Sequence, residues 1–144
     1  MNIRPPYYSN DIIRYACENA TIIKISDEEL PKVMVSFEKS DCSTEQSAQF
    51  LSDKFKNLKI IIITKGEKGS IVYECADKKF YNCDAKKVDV VSTVGAGDSF
   101  SASFLMLYLK TKDISASLDF AAKISGYVVS QKAAVPDYDI SDYI

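Results

Sequence analysis

Apolar residues change their spacing along the chain in step with turn signals, and the changes predict alternating helices and strands. Residues 10–19 read as a short helix capped by Asn10, with Ile12, Ile13 and Ala16 turned inward. Residues 20–25 form a β-branched run and predict a strand. Ser26-Asp27-Glu28-Glu29 has the form of a capping box, Ser26 at the N-cap and Glu29 reaching back from the third position. A helix should follow, with Pro31 tolerated because it sits near the first turn. Residues 44–55 predict another helix, its apolar face carried by Ala48, Leu51 and Phe55. Residues 59–63 include four consecutive isoleucines, a run that suits a strand covered on both faces, as in a parallel sheet. Short strands are expected at 70–74 and 79–82, and another at 88–91. Residues 99–110 predict a strongly apolar helix around Phe100, Phe104, Leu105, Leu107 and Tyr108. Ile114, Leu118, Ala121, Ala122, Ser125, Val128 and Val129 then mark a long amphipathic helix with small facing residues. The alternation places the chain in the α/β class.

Composition narrows what such a domain can do. The 144 residues fit one domain with an adequate core. The net charge of −2 leaves no basic surplus for a nucleic acid, and nothing favours an anionic membrane surface. The chain has no histidine, which excludes Ser-His-Asp and Cys-His catalysis and His-ligated metal sites together. Cys17, Cys42, Cys75 and Cys83 form no CxxC pair, so free thiols in a reducing cytoplasm are expected; a Cys75–Cys83 disulfide is the alternative. The first residues have no apolar signal-peptide core, and the longest apolar run, 60–63, is far short of a membrane span.

The informative stretch is a strand, then Thr93-Val94-Gly95-Ala96-Gly97-Asp98, then a helix. Two glycines flanking an alanine let the backbone approach a ligand and turn its N–H groups inward. A helix opening there adds free amides and a positive dipole end, which suits phosphate. That field also favours the ionised form of a carboxylate at Asp98. The P-loop string is absent, and Phe100 stands where the dinucleotide fingerprint needs its third glycine. The spacing alone equally suits a plain strand-to-helix connection with Asp98 as a cap residue.

The full string Thr93-Val94-Gly95-Ala96-Gly97-Asp98-Ser99-Phe100 closely resembles the C-terminal signature of the ribokinase-like (PfkB) carbohydrate kinases, D-T-x-G-A-G-D-x-F. Thr64-Lys65-Gly66-Glu67-Lys68-Gly69 resembles the family's TxGxxG nucleotide turn. Ser26-Asp27-Glu28-Glu29 is similar to the NxxE segment in the SxxE form of fructokinases, and Asn2-Ile3-Arg4 to the N-x-R segment of fructokinase-like members. Ala133-Ala134-Val135-Pro136 resembles the family's closing G-A-x-P. The matches follow family order along the whole chain, residues 1–144.

The resemblance implies the C-terminal, nucleotide-binding and catalytic portion of a three-layer α/β/α kinase domain with a mostly parallel sheet. It implies ATP-dependent phosphorylation of a sugar hydroxyl, with ATP and Mg²⁺ as cofactors. Asp98 takes the role of the base, and the amides of Gly95, Ala96 and Gly97 that of the anion hole. Thr64, Lys65, Gly66, Gly69 and Thr93 would border the nucleotide, and Ala122 and Ser125 its adenine. Glu29 would organise water around Mg²⁺, its capping-box role being the alternative, just as close helix packing is the alternative for Ala122 and Ser125. Ser92 stands where the signature has its first Asp, which argues against a monovalent-cation site, and Ala133 replaces a glycine. The family's N-terminal strands, sugar-binding Asp and lid have no counterpart. That leaves a sheet edge to be covered by a homodimer or a separate N-terminal kinase half. A truncated, non-catalytic nucleotide-binding or self-associating remnant is the competing reading.

Overall fold

The computed structural model describes residues 1–139. The helices are α1 (Asn10–Asn19), α2 (Leu30–Val35), α3 (Thr44–Lys54), α4 (Ala96–Thr111) and α5 (Ile114–Val129). The strands are β1 (Ile22–Ser26), β2 (Ile60–Thr64), β3 (Ser70–Glu74) and β4 (Lys79–Cys83). The described residues form two compact units, residues 1–66 with 71–81, and residues 67–70 with 82–139.

The four strands make one sheet in the order β1-β2-β3-β4. β1 and β2 run parallel, with Ile22 opposite Ile60 and Ser26 opposite Thr64. The sheet is mixed and largely antiparallel beyond that pair, which corrects the expectation of a mostly parallel one. The reason is the length of the connections. Residues 27–59 carry α2 and α3 and are long enough for a crossover. Residues 65–69 and 75–78 are too short for one, so β3 and β4 can only turn back. The Cys75 amide accordingly donates to the Lys59 carbonyl at 2.9 Å.

In the first unit, Ile23 and Ile25, Ile61 and Ile63, and Ile71 and Tyr73 alternate onto one face of the sheet. They share a buried cluster with Ile13 and Cys17 of α1, Val33 and Met34 of α2, and Ala48 and Leu51 of α3. Each fully buried isoleucine contributes roughly 1.5–3 kcal/mol relative to exposure. Ile60, Ile62 and Val72, on the opposite face, are buried as well, so β2 is covered on both sides as its uninterrupted run implies.

Local chemistry adjusts three expectations in this unit. Ser9, not Asn10, caps α1, its Oγ accepting from the Ile12 amide at 3.3 Å. Ile13 and Cys17, four apart, then face the core while Ile12 is 57% exposed. Ser26 and Glu29 do exchange capping-box hydrogen bonds, but they close a turn, and α2 starts only at Leu30. α3 has its own box, Ser43 with Gln46.

The second unit centres on α4 and α5, joined by Lys112 and Asp113 and packed side by side. Phe100 and Phe104 of α4 are buried, as are Leu118, Ala121, Ala122 and Ile124 of α5. Asp113 caps α5 through the Ala116 amide at 2.9 Å. Lys86 and Lys123 both pair with Asp119, at 2.6 and 2.9 Å. Residues 88–91 form no strand: Val90 and Val91 are exposed, and the amides of Val91 and Ser92 donate to the Val129 carbonyl at the end of α5. A β-branched run becomes a strand only with a neighbour to pair with. All four cysteines are free.

Candidate functional site

The entry to α4 is built by its glycines. Gly95 is left-handed, with φ 86°, and turns the chain into the helix at Ala96. A Cβ on Gly95 would lie 2.5 Å from the carbonyl oxygen of Ala134, so the backbone of the 133–135 segment packs directly against it. Ser125 of α5 donates its hydroxyl to the Ala96 carbonyl at 3.2 Å and ties the second helix to this same turn. Ser99 and Ser101 bond back to the carbonyls of Ala96 and Gly97.

This leaves a helix end with free donors. The Ala96 amide is engaged by the Thr93 carbonyl at 3.3 Å. No side chain caps the end, and the amides of Gly97 and Asp98 have no hydrogen-bond partner among the described residues. Sixteen residues of helix place the positive end of a dipole there. Asp98 lies in the first turn and is exposed. An anion-binding backbone and an accessible carboxylate therefore share one turn.

The other predicted residues divide between the units. Gly69, Thr93, Gly95, Ala96, Gly97, Asp98, Ala122 and Ser125 belong to the second, and Glu29, Thr64, Lys65 and Gly66 to the first. Thr93 is exposed, and Ala122 is buried against its neighbours, consistent with helix packing. Gly69 has φ 86° and meets the Cys83 carbonyl so closely that a Cβ would stand 2.1 Å from it. Gly66, at φ 55°, opens a single 3-10 turn with open space around it. Thr64 ends β2, and its carbonyl accepts from the Asp27 amide at 2.8 Å. The parallel pairing of β1 and β2 thus sets the turn 26–29 beside Thr64 and Lys65, at the carboxyl ends of both strands. Open α/β sheets bind ligands outside those ends.

Glu29 is committed to backbone. Its Oε1 accepts from the Ile3 amide at 2.8 Å and its Oε2 from the Ser26 amide at 2.9 Å. Burial alone would raise its pKa, but these hydrogen bonds, with the N-terminal ammonium nearby, outweigh it and hold the carboxyl below its usual 4.5. Each oxygen keeps a second lone pair, enough to accept from a water. No group of three or more acidic or cysteine side chains that could hold a metal occurs among the described residues. The residues present therefore fit a Mg²⁺ carried by phosphates and met through water, and do not fit a protein-caged ion.

A depression of about 510 Å³ opens beside Val91, walled by Tyr127, Ser130, Lys132, Ala133 and Pro136 among others. It begins just past Ser125 on α5. Sequence reasoning singled out Ala133 to Pro136 by motif but not Tyr127, Ser130 or Lys132. The signal was their position immediately ahead of that motif.

The model of the pfkB family carbohydrate kinases matches residues 1–140. The chain belongs to this family. Among relatives, a nucleoside kinase of Methanocaldococcus jannaschii is 27% identical, over 93% of this PfkB chain and 42% of that protein. Probable fructokinase-5 of Arabidopsis thaliana is 32% identical, over 94% of this chain and 43% of that one. The crystal structure of the M. jannaschii nucleoside kinase superposes with a TM-score of 0.73 at 25% identity, over 90% of this chain and 40% of that one. A ribokinase II structure from E. coli in complex with ATP and Mg²⁺ gives a TM-score of 0.74 at 18% identity, over 86% and 37%. The PfkB chain thus spans about two fifths of the length of these relatives. No helix among the described residues is long and apolar enough to cross a membrane.

Proposed function

We propose that this chain supplies the ATP site and the catalytic base of a PfkB kinase that phosphorylates a hydroxyl of a sugar or nucleoside. The observation that carries the proposal is the α4 entry, where Gly95 turns two unpartnered amides and the exposed Asp98 into one site. ATP with Mg²⁺ would supply the phosphoryl group and screen its charge. The amides of Gly97 and Asp98 bind a phosphate oxygen at the positive end of α4, with Gly95 and Ala96 shaping the turn. Asp98 accepts the proton of the attacking hydroxyl as that oxygen bonds to the γ-phosphorus of ATP, the bond from this phosphorus to the β,γ-bridging oxygen breaks, and ADP leaves. Ser125 holds α5 against the Ala96 carbonyl and so keeps the turn in register. Within the second unit, Gly69, Ala122 and Ser125 border the nucleotide, and the depression just past Ser125 offers room for its base; Thr64, Lys65 and Gly66 of the first unit are nucleotide-binding candidates by motif alone. Glu29 accepts from water around Mg²⁺ while bracing residues 3 and 26.

The acceptor side comes from the part of the domain that relatives carry outside the matched two fifths. Titration calorimetry with ATP and Mg²⁺, on the wild type and on Gly95→Ala, tests the nucleotide site; equal heats would refute it. Phosphotransfer to sugar and nucleoside acceptors, measured with the acceptor half present, tests the base.

A further inference from the structure

The peptide that leads into the α4 turn has no ladder of its own. Residues 84–93 form neither helix nor strand, so their course is set by what they touch. At one end the backbone of Cys83 to Ala85 lies against Gly69, where a Cβ would stand 2.1 Å from the Cys83 carbonyl oxygen and 2.9 Å from the Asp84 Cα. Lys86 then crosses α5 at Gly126, which is buried; a Cβ there would stand 3.1 Å from the Lys86 Cβ. The Lys86 ammonium donates to Asp119, two turns back along α5, at 2.6 Å. Lys123 pairs with the other oxygen of that carboxylate at 2.9 Å. The Lys86 hydrogen bond raises the pKa of Lys86 and, with the one from Lys123, lowers that of Asp119, so both stay charged at neutral pH. Further on, the amides of Val91 and Ser92 donate to the Val129 carbonyl at 2.8 and 3.1 Å. α5 thus receives this connector at Asp119, Gly126 and Val129, and the α4 turn itself at Ser125. All of these residues belong to the second unit.

We propose that Lys86 and Asp119 are positioning residues: by clasping the connector to α5 they place the α4 entry turn relative to Gly69, and with it the phosphates of ATP. The effect on ATP rests on the reading of that turn as the nucleotide site. Phosphoryl transfer depends chiefly on placement, so the course of a connector without secondary structure matters to it. Lys86 does not act as a phosphate ligand, because its charge is spent on a carboxylate that also serves Lys123. Without the ion pair its stem still rests on Gly126, but nothing fixes its far end, and the residues up to Val91 lose the tether nearest to Gly69.

The test uses the full chain. Titration calorimetry with ATP and Mg²⁺ reads affinity, and the backbone amide resonances of Gly97 and Asp98, followed by NMR, read the turn. Lys86→Ala should raise the Kd about threefold to fivefold, the upper range for a half-exposed ion pair, and shift both resonances. Lys86→Arg, which still reaches Asp119, should restore both. Asp119→Ala separates placement from attraction. Were Lys86 drawing ATP by its charge, loss of the carboxylate would tighten binding. Placement requires weaker binding, as in Lys86→Ala, and a double variant no worse than either single one. Tighter binding in Asp119→Ala, additive losses, or unmoved Gly97 and Asp98 resonances in Lys86→Ala would each overturn the inference. So would a fall in the urea midpoint of Lys86→Ala with its Kd unchanged, which is all that a merely structural pair would give. A wild type that binds no ATP would bring down the nucleotide reading alone. The resonances then still decide the clasp: shifts in Lys86→Ala that Lys86→Arg reverses uphold it, and unmoved ones refute it.

Discussion

Replacing Gly95 with alanine should cost far more stability than replacing Gly66, although both adopt positive φ. At Gly66 a Cβ would meet nothing within 4 Å. Gly66→Ala therefore carries only the left-handed penalty of about 1–2 kcal/mol, offset by about 0.4–1 kcal/mol from a stiffer unfolded chain. The net is about 1 kcal/mol. At Gly95 φ is 86°, beyond the usual left-handed range, and the new methyl would overlap the Ala134 carbonyl oxygen at 2.5 Å. That oxygen belongs to backbone, so the 133–135 segment must move, which adds about 1–3 kcal/mol as overpacking does elsewhere. The expected loss for Gly95→Ala is about 3 kcal/mol, so its Tm should fall by about 10 °C, against about 3–4 °C for Gly66→Ala. Differential scanning calorimetry of both variants reads the difference directly. Equal losses would refute the claim that Ala134 braces the turn.

Asp98→Asn in the completed kinase should lower kcat by about 10²–10⁴-fold. ATP affinity should be retained, because the amides at the α4 entry remain; transfer at the wild-type rate would dismiss the carboxylate as base. The lowered pKa of Glu29 means that its ionised form stabilises the fold above the usual glutamate value of 4.5. That contribution disappears as pH falls through the lower folded value, so urea midpoints should decline more steeply below pH 4.5 for the wild type than for Glu29→Gln. Identical acid limbs would show that the Ile3 and Ser26 amides contribute nothing. Burial raises the Cys17 thiol to about 11, so iodoacetamide near neutral pH should label Cys42 well before Cys17, as peptide mapping would reveal.

The sequence made some of these features plain and hid others. The helix at 44–54, the four isoleucines and the long helix from Ile114 were legible because burial alone explains their spacing. Strand direction was not, since a period of two is the same whichever way a strand runs. The five residues between β2 and β3 were the available signal, and they allow only a return. The start of α4 was placed three residues late because two glycines are poor helix formers. The structure nevertheless carries Gly97 and Asp98 inside the first turn, which is what aims their amides outward. The role of Ser125 was invisible for a different reason: its partner, Ala96, is 29 residues away, and no local pattern encodes that bond.

The run 60–63 has a consequence for the chain when it is not folded. Four isoleucines in succession, with neither proline nor glycine, have the composition that seeds cross-β aggregates. The strand order sets β2 between two neighbours, so neither of its edges is offered to another molecule. Lys59 and Lys65 bracket the run and set like charges against stacking whenever the sheet opens. Loss of β1 pairing would therefore do more than loosen one strand: it would uncover the segment best able to recruit other copies, with only two lysines left to oppose it.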